Sequence, residues 1–458
     1  MMKHVRSIAA VLLMVLTGLA GHWPGQRAPA AEHLIMISID GLVPEYYLAP
    51  ARFGLKLPNL ISMKLRGAYA EGVEGVFPSV TYPSHTTMVT GVRPAIHGII
   101  QNRIFEAPTE PQTRSWYWFA DAIRSETIWD VAKRSGLRTG AVSWPVTAKA
   151  NIDYNVPEIW DPSEDPPSPK RMLEHSTPGL VAKAMASKLT NLPRGDEFRT
   201  QMSEYIIKTH RPNLLLVHLI ELDGAHHRQG PRSQTALEVA EQIDGLVGRI
   251  VEAARQAGIF DKTAFLIVSD HGFAEVSKTF EPNVVLVKEG LIRLGEDGKP
   301  TSWRAAAWTA GGSSAIMLRD PKDREAAAKV ADIFRRIASR QNSPINRVLS
   351  RSELDRLGAF PGAELALDAA PGYYFGDALT GPEVHDSGDS LRGTHGQLPT
   401  RAQLRASLIM FGRGVRAGAK ISLARMIDIA PTAAALLGLK LSKPEGRPIV
   451  ELLEAGSR

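Results

Sequence analysis

Cysteine is absent from all 458 residues. With it go disulfides, thiolate metal sites and thiol nucleophiles, so the fold must rest on its apolar core and on ligands built from oxygen and nitrogen. Clustered positive charge is missing too. The formal net charge of +6 falls to +3 once Lys3, Arg6 and Arg27, three cations with no acid among them, are set aside at the amino end. No Lys/Arg block remains of the kind that tracks a nucleic-acid backbone, so a nucleic-acid polymer is not the expected partner and a small anion is. Long apolar runs are equally scarce. The one candidate, Ile8 to Ala20, falls short of the roughly 20 residues a membrane span needs. Lys3 and Arg6 precede it and small residues, "APAAE" from Ala28, follow it, which reads as an export signal over residues 1–30. The expectation is an exported protein, periplasmic or secreted, without a stable membrane anchor. Tandem repeats and low-complexity tracts are lacking as well, and a 44% hydrophobic content is ample for a large core.

Against these absences, three apolar runs share one unusual ending. "HLIMISIDGL" from His33 stops at Asp40, "NLLLVHLIELDGAHH" from Asn213 at Asp223, and "TAFLIVSDHGF" from Thr263 at Asp270 and His271. A single Asp after a strand is ordinary turn punctuation. Three such endings call for a shared cause. Near-continuous apolar strands alternate with amphipathic segments such as Ala236 to Ala257, where Leu237, Ala240, Ile243, Val247, Ile250 and Ala254 recur at spacings of three and four and Gly258 marks the end. This pattern predicts an α/β fold with a largely parallel central sheet and helices on both faces. Parallel strands place their carboxyl ends on one edge, where ligands bind in open α/β sheets. Three carboxylates gathered there repel one another unless cations sit between them, so a metal centre is expected.

Histidines lie close to the same endings. His226 and His227 both follow Asp223 in what reads as a loop, and His395 stands in the turn "RGTHGQLP". Imidazole and carboxylate together suit zinc. The interval 275–390 contains an apparent strand "GGSSAIML", a helix near Arg324 to Ser339 and a Gly- and Pro-rich tail. It reads as an inserted small α+β subdomain, leaving 31–274 and 391–458 as the core. In "VFPSVTYPSHTTMVTGVRPAIHGIIQN", Val76 to Asn102, the stretch Thr86 to Gly91 reads as a helix start.

"SIDG", the Val76–Asn102 segment, "ELDGAHHRQGP", "IVSDHGF" and "GTHG" together resemble, in order, the motifs of the nucleotide pyrophosphatase/phosphodiesterase family within the alkaline phosphatase superfamily. The resemblance runs from about His33 to the terminal helical segment. It implies an alkaline-phosphatase-like fold and two zinc ions per subunit, one held by Asp223, His227 and His395, the other by Asp40, Asp270 and His271. The family sets its His four residues after the Asp with Gly-Pro following, which favours His227, ahead of Gly230-Pro231, over His226. Thr81 falls at the nucleophile, which also ligates the second zinc and forms a covalent phospho-threonine, and Asn102 where an amide holds a phosphoryl oxygen. Tyr82, Trp144 and Trp160 fall at or near aromatic positions of the substrate pocket.

The family's Lys before the nucleophile is here Val80, and its Asn three residues after is Ser84. An amide at Asn102, rather than a bidentate arginine, leans toward diesters, which carry one negative charge on their non-bridging oxygens. A sulfatase is disfavoured because Thr81 and His85 stand where that motif has Cys or Ser and Arg. The implied activity is hydrolysis of small anionic phosphodiesters, nucleotides or related compounds. A zinc-dependent phosphomonoesterase, a choline-lipid phosphodiesterase and a non-catalytic zinc-binding protein are the alternatives.

Overall fold

The computed structural model describes residues 30–164, 168–186, 192, 195–389 and 391–455. The export signal expected over 1–30 lies outside the described residues but for Ala30. Six strands carry the centre of the molecule: β1 (His33–Ile39), β2 (Ala68–Glu74), β3 (Thr139–Val142), β4 (Tyr154–Val156), β5 (Leu214–Leu219) and β6 (Thr263–Val268). Across the sheet the order is β2, the strand Ala406–Gly412, β6, β1, β5, β3, β4. β1 pairs in parallel with β5 and β6, and β3 in parallel with β5 and β4. Ala406–Gly412 runs antiparallel between β6 and β2, so two reversals leave β2 pointing the same way as β6.

The strands read as unbroken apolar runs because both faces are covered. Leu34 and Met36 of β1, Leu214 and Leu216 of β5, and Ala264, Leu266 and Val268 of β6 enter one buried cluster with Met88, Val89, Ile128 and Ala433. The intervening Ile35, Ile37, Ile39, Leu215, Val217, Phe265 and Ile267 enter the other, against Met202, Ile206, Ala240, Ile243 and Val247. This period-two division assigns the helices Thr81–Thr90, Ile128–Arg134 and Ile429–Leu436 to one face and Gly195–His210 and Gln234–Gln256 to the other. The Gln234–Gln256 helix starts where the Ser233 hydroxyl accepts from the Ala236 N–H at 3.2 Å. It ends with Gly258 in the left-handed region, at φ +70°.

Two local expectations change. The helix expected to begin near Thr86 begins at Thr81, with Val80 extended at its N-cap. Pro83 does not delay it, because N–H groups in the first turn have no intrahelical acceptor and proline loses nothing there. The segment after β5 is a helix, Glu221–Gln229, rather than a loop. Asp196 starts it, its carboxylate accepting from the Ile220 and Glu221 N–H groups at 2.8 and 3.0 Å.

Downstream of β6, the strands Ala305–Ala310, Ser313–Leu318, Leu365–Ala369 and Ile345–Ser350 form a separate antiparallel sheet in that order. The helix Arg324–Ala338 buries Val330, Ile333, Phe334 and Ile337 in the same apolar cluster as Ile316, Ile345 and Leu367. Among the described residues no helix is long and apolar enough to cross a membrane.

Ile267 sits wholly buried in the middle of β6. Ile267→Ala is expected to lower unfolding free energy by about 2–5 kcal/mol, read as a reduced urea midpoint at unchanged slope.

Candidate metal centre

The parallel pairing of β5, β1 and β6 puts Asp40, directly after β1, beside Asp270, two residues beyond β6, and the Glu221–Gln229 helix that follows β5. On that helix Asp223 and His227, four residues apart, share a face. Asp223 Oδ1 lies 3.4 Å from His227 Nε2 and 3.5 Å from His395 Nε2. His271 Nε2 lies 3.1 Å from Asp270 Oδ2 and 3.4 Å from Asp40 Oδ1. Ligand atoms of Asp223, His227 and His395 fall within 4.8 Å of one another, and so do those of Asp40, Asp223 and His271. Asp223 thus stands between two groups. The stacked rings of His271 and His395, 3.6 Å apart between centroids, join them.

The three histidines of these groups are turned alike. The Nδ1–H groups of His227, His395 and His271 donate to the carbonyls of Gly393, Ser79 and Gly272 at 2.9, 3.1 and 3.2 Å. In the neutral ring each Nε2 then carries the lone pair and faces the centre, the usual posture of a ligating histidine. His227 Nε2 and His395 Nε2, each so committed, sit only 3.2 Å apart. Asp40 Oδ1, Asp223 Oδ1, Asp270 Oδ2 and His271 Nε2 are buried without hydrogen-bond partners. Converging acceptors without donors are what cations resolve, and the oxygen and imidazole donor set fits zinc.

Protonation follows the same crowding. Burial, then the charges of Asp270 and Asp223, hold the Asp40 carboxyl well above the usual range. Burial alone would raise Asp270 too, but His271, His85 and His218 hold it well below. His271 is drawn the other way: burial opposes its charge, yet the carboxylates around it raise it to about 9. Burial also opposes His218, and bonds to Asp40 and Glu158 raise it to about 10. His85 and His226 are pushed down to about 3, chiefly by burial.

His226 is in neither ligand group, its Nε2 lying 3.1 Å from the Tyr46 hydroxyl. Thr81 is the first residue of its helix, so its N–H has no intrahelical acceptor and anions are favoured there. Two histidines tie its turn to the carboxylates and imidazoles. His395 bonds the Ser79 carbonyl, and His85 Nδ1 donates to the Thr81 carbonyl at 2.8 Å while lying 3.8 Å from Asp270 Oδ2. Asn102 Oδ1 accepts from the Tyr82 N–H at 2.8 Å, leaving its amide Nδ2 as the donor.

The three aromatic residues expected near the pocket differ in exposure. Trp144 and Tyr82 are both wholly buried. Trp144 packs edge-on against His85, 4.8 Å between centroids, and Tyr82 packs edge-on against Trp116 at 5.1 Å. Trp160 is half-buried and meets Trp116, also half-buried, at 4.9 Å. Trp116 went unnoticed in the sequence, where "SWYWF" was its only signal. His218 carries no sequence signal because a His inside a strand reads as core, and Glu158, in the loop after β4, carries none of its own.

This centre at the carboxyl edge of a largely parallel sheet defines an α/β protein of alkaline-phosphatase-like architecture with two adjoining ligand groups. The chain belongs to the type I phosphodiesterase / nucleotide pyrophosphatase family, whose family model matches residues 34–397. It is 26% identical over 252 residues to human ectonucleotide pyrophosphatase/phosphodiesterase family member 1, covering 53% of this chain and 24% of that protein. It is 25% identical over 251 residues to venom phosphodiesterase 2 of Crotalus adamanteus, covering 53% of this chain and 27% of that one. The match to these curated relatives thus spans only about a quarter of their length. Among solved structures, human ectonucleotide pyrophosphatase/phosphodiesterase 5 superposes with a TM-score of 0.65 at 18% identity, covering 92% of this chain and 100% of that one. A murine counterpart, an inactive threonine-to-alanine variant in complex with AMP, gives 0.64 at 19%, with the same coverage of each chain.

Two outcomes are expected. Gly396, beside His395, has φ +103°, and a Cβ there would lie 2.0 Å from the Ala310 carbonyl oxygen. Gly396→Ala is expected to move His395 and reduce the zinc retained after gel filtration, as read by elemental analysis. With metal stripped, His218 and His271 have folded values of about 10 and about 9 against an ordinary 6.5. Their contribution to stability is complete below about pH 6.5 and lost as pH rises through about 9 to 10. Urea midpoints of chelator-treated protein should fall across that window, and zinc should flatten the His271 part because a ligating imidazole is neutral.

Proposed function

We propose that this chain is an exported phosphodiesterase that uses two zinc ions, hydrolysing nucleotides or related small phosphate diesters through a phospho-threonine ester. Lone-pair Nε2 atoms of three histidines meeting three carboxylates at one sheet edge are the observation that carries this reading. Asp223, His227 and His395 would hold one zinc; Asp40, Asp270 and His271 would hold the other, with Thr81 as a further ligand and Asp223 close to both groups. Zinc so held supplies Lewis-acid stabilisation of negative charge on phosphoryl, attacking and leaving oxygens.

Thr81 Oγ gives up its proton and attacks phosphorus in line, an oxygen–phosphorus bond forms, and the bond to the leaving oxygen breaks. That oxygen takes up a proton and departs as the alcohol; the water of the next step supplies the proton that returns to Thr81. Water then adds to the phosphorus of the ester and the Thr81 oxygen departs, regaining its proton. Meanwhile the Thr81 N–H and Asn102 Nδ2 hold a non-bridging oxygen, as an oxyanion hole does. The first donor is aimed by its place at the helix start, the second by the Tyr82 N–H that fixes Oδ1.

Charge favours a diester over a monoester. The two arginines near the motif are engaged elsewhere, Arg93 with Glu445 and Arg103 with Asp377, and a dianionic monoester would profit from a free guanidinium. Half-buried Trp116 and Trp160 suit a flat base, in keeping with the AMP bound by the murine neighbour. The interval 275–390 is proposed as an inserted subdomain whose antiparallel sheet supports the His395 turn, the Gly312 N–H donating to the His395 carbonyl at 2.7 Å.

Zinc-loaded protein is expected to hydrolyse bis-nitrophenyl phosphate much faster than mono-nitrophenyl phosphate. Thr81→Ala should cost about four orders of magnitude or more in kcat. Faster monoester turnover would make the protein a phosphatase, and no turnover of either would leave a binding protein; either result sinks the proposal. AMP-containing and choline-containing diesters then separate the substrate classes.

A further inference from the structure

The two oxygens of Asp40 are in different situations. Oδ1 is buried without a partner and lies 3.4 Å from His271 Nε2, whereas Oδ2 lies 3.1 Å from Nε2 of His218. His218, wholly buried on β5, has its other nitrogen 2.9 Å from Glu158 Oε2. Glu158 Oε1 in turn accepts from the Tyr82 hydroxyl at 3.2 Å. His218 thus bridges two carboxyl groups, one at each ring nitrogen. A continuous chain therefore runs from Tyr82 through Glu158 and His218 to Asp40, and Tyr82 is the residue next to Thr81.

We infer that His218 and Glu158 are positioning residues, which engage Oδ2 of Asp40 so that Oδ1 alone is presented to the metal. A carboxylate free to rotate could chelate through both oxygens or turn from the site. One held at Oδ2 by a buried ring, itself braced by Glu158, has a single ligating edge and a fixed direction. The brace reaches the Thr81 turn through two bonds of Tyr82, its hydroxyl to Glu158 and its N–H to Asn102. Asp40, the oxyanion-hole amide and the nucleophile's neighbour are thereby set by one network. This inference rests on the proposed two-zinc reading and adds two residues that touch neither substrate nor metal.

The test compares wild type with His218→Leu, His218→Gln, which keeps one donor, and Glu158→Gln. The zinc dissociation constants are read by competition with a fluorescent chelator, beside kcat and KM for bis-nitrophenyl phosphate and the melting midpoint of metal-free protein. One of the two zinc constants should rise about 10–100-fold in His218→Leu, as losing a ligand's supporting hydrogen bond does. The rise should be smaller in His218→Gln, the other constant should hold, and kcat should fall more than KM changes. Zinc constants within about twofold of wild type in the folded variants would overturn the positioning role even if melting shifts, since that is the signature of a merely structural histidine. If His218→Leu does not fold, Glu158→Gln, of equal shape and half-buried, carries the same reading. Wild type that binds no zinc would overturn the proposed function itself, and the inference with it.

Discussion

Repulsion among carboxylates at one edge of the sheet is the constraint on which the rest of this structure depends. Asp40, Asp223 and Asp270 come together because β1, β5 and β6 are adjacent and parallel. Buried negative charges in that number need positive charge nearby. Without metal, protons supply it, which is why His218 and His271 are raised to about 10 and about 9 against the burial that opposes them. Metal would take over the role of the His271 proton. The same geometry therefore accounts for an ion site and for the protonation of the protein that lacks the ion.

Much of the surrounding fold serves to aim the imidazoles. Three backbone carbonyls, of Gly272, Gly393 and Ser79, each take one Nδ1–H. Those carbonyls belong to the segment just beyond β6, the short strand Gly393–Thr394 and the segment before the Thr81 helix, so the sheet edge and the returning chain fix ring orientation together. Phe273 packs edge-on against His227, His271 and His395 at 4.9, 5.7 and 5.2 Å between centroids. This ring excludes water from one side of the rings, and a less polar surrounding strengthens every charge interaction at the centre.

The sheet and the acids at its edge were legible because each rested on a pattern with one physical cause. Unbroken apolar strands mean two covered faces, and acids after parallel strands mean a shared edge. What escaped was set by tertiary context. The Glu221–Gln229 helix carries two adjacent histidines and an internal glycine, and its start depends on Asp196, far off in sequence. Pro83 and a run of hydroxyl residues hid a helix that begins at Thr81, since first-turn tolerance of proline leaves no mark in local propensity. Tyr82 and Trp144 are expected in the pocket from the family resemblance, while their complete burial is set by neighbours such as Trp116 and His85 that the local sequence does not reveal. His218 reads as one more residue of a strand until Glu158, from beyond β4, is seen on its far side.

The position of Thr81 shows how the departures from the family pattern fit together. With Val80 in place of a lysine, no cation directly precedes the threonine, and Arg93 and Arg103, which flank the end of the motif, are held by Glu445 and Asp377. On the proposed reading, stabilisation of a phosphoryl group would come from the helix start, the Asn102 amide and charge at the sheet edge. Each is fixed before a ligand arrives: the helix by its burial against Met426 and Ile429, the amide by the Tyr82 N–H, the edge by His218 and the backbone carbonyls. Preorganised dipoles act on a developing charge without reorganising, which is their advantage over a mobile side chain such as lysine. Dipoles of this kind match the single charge of a diester better than the double charge of a monoester, so within the proposed function the missing lysine and the engaged arginines point to the same substrate class as Asn102.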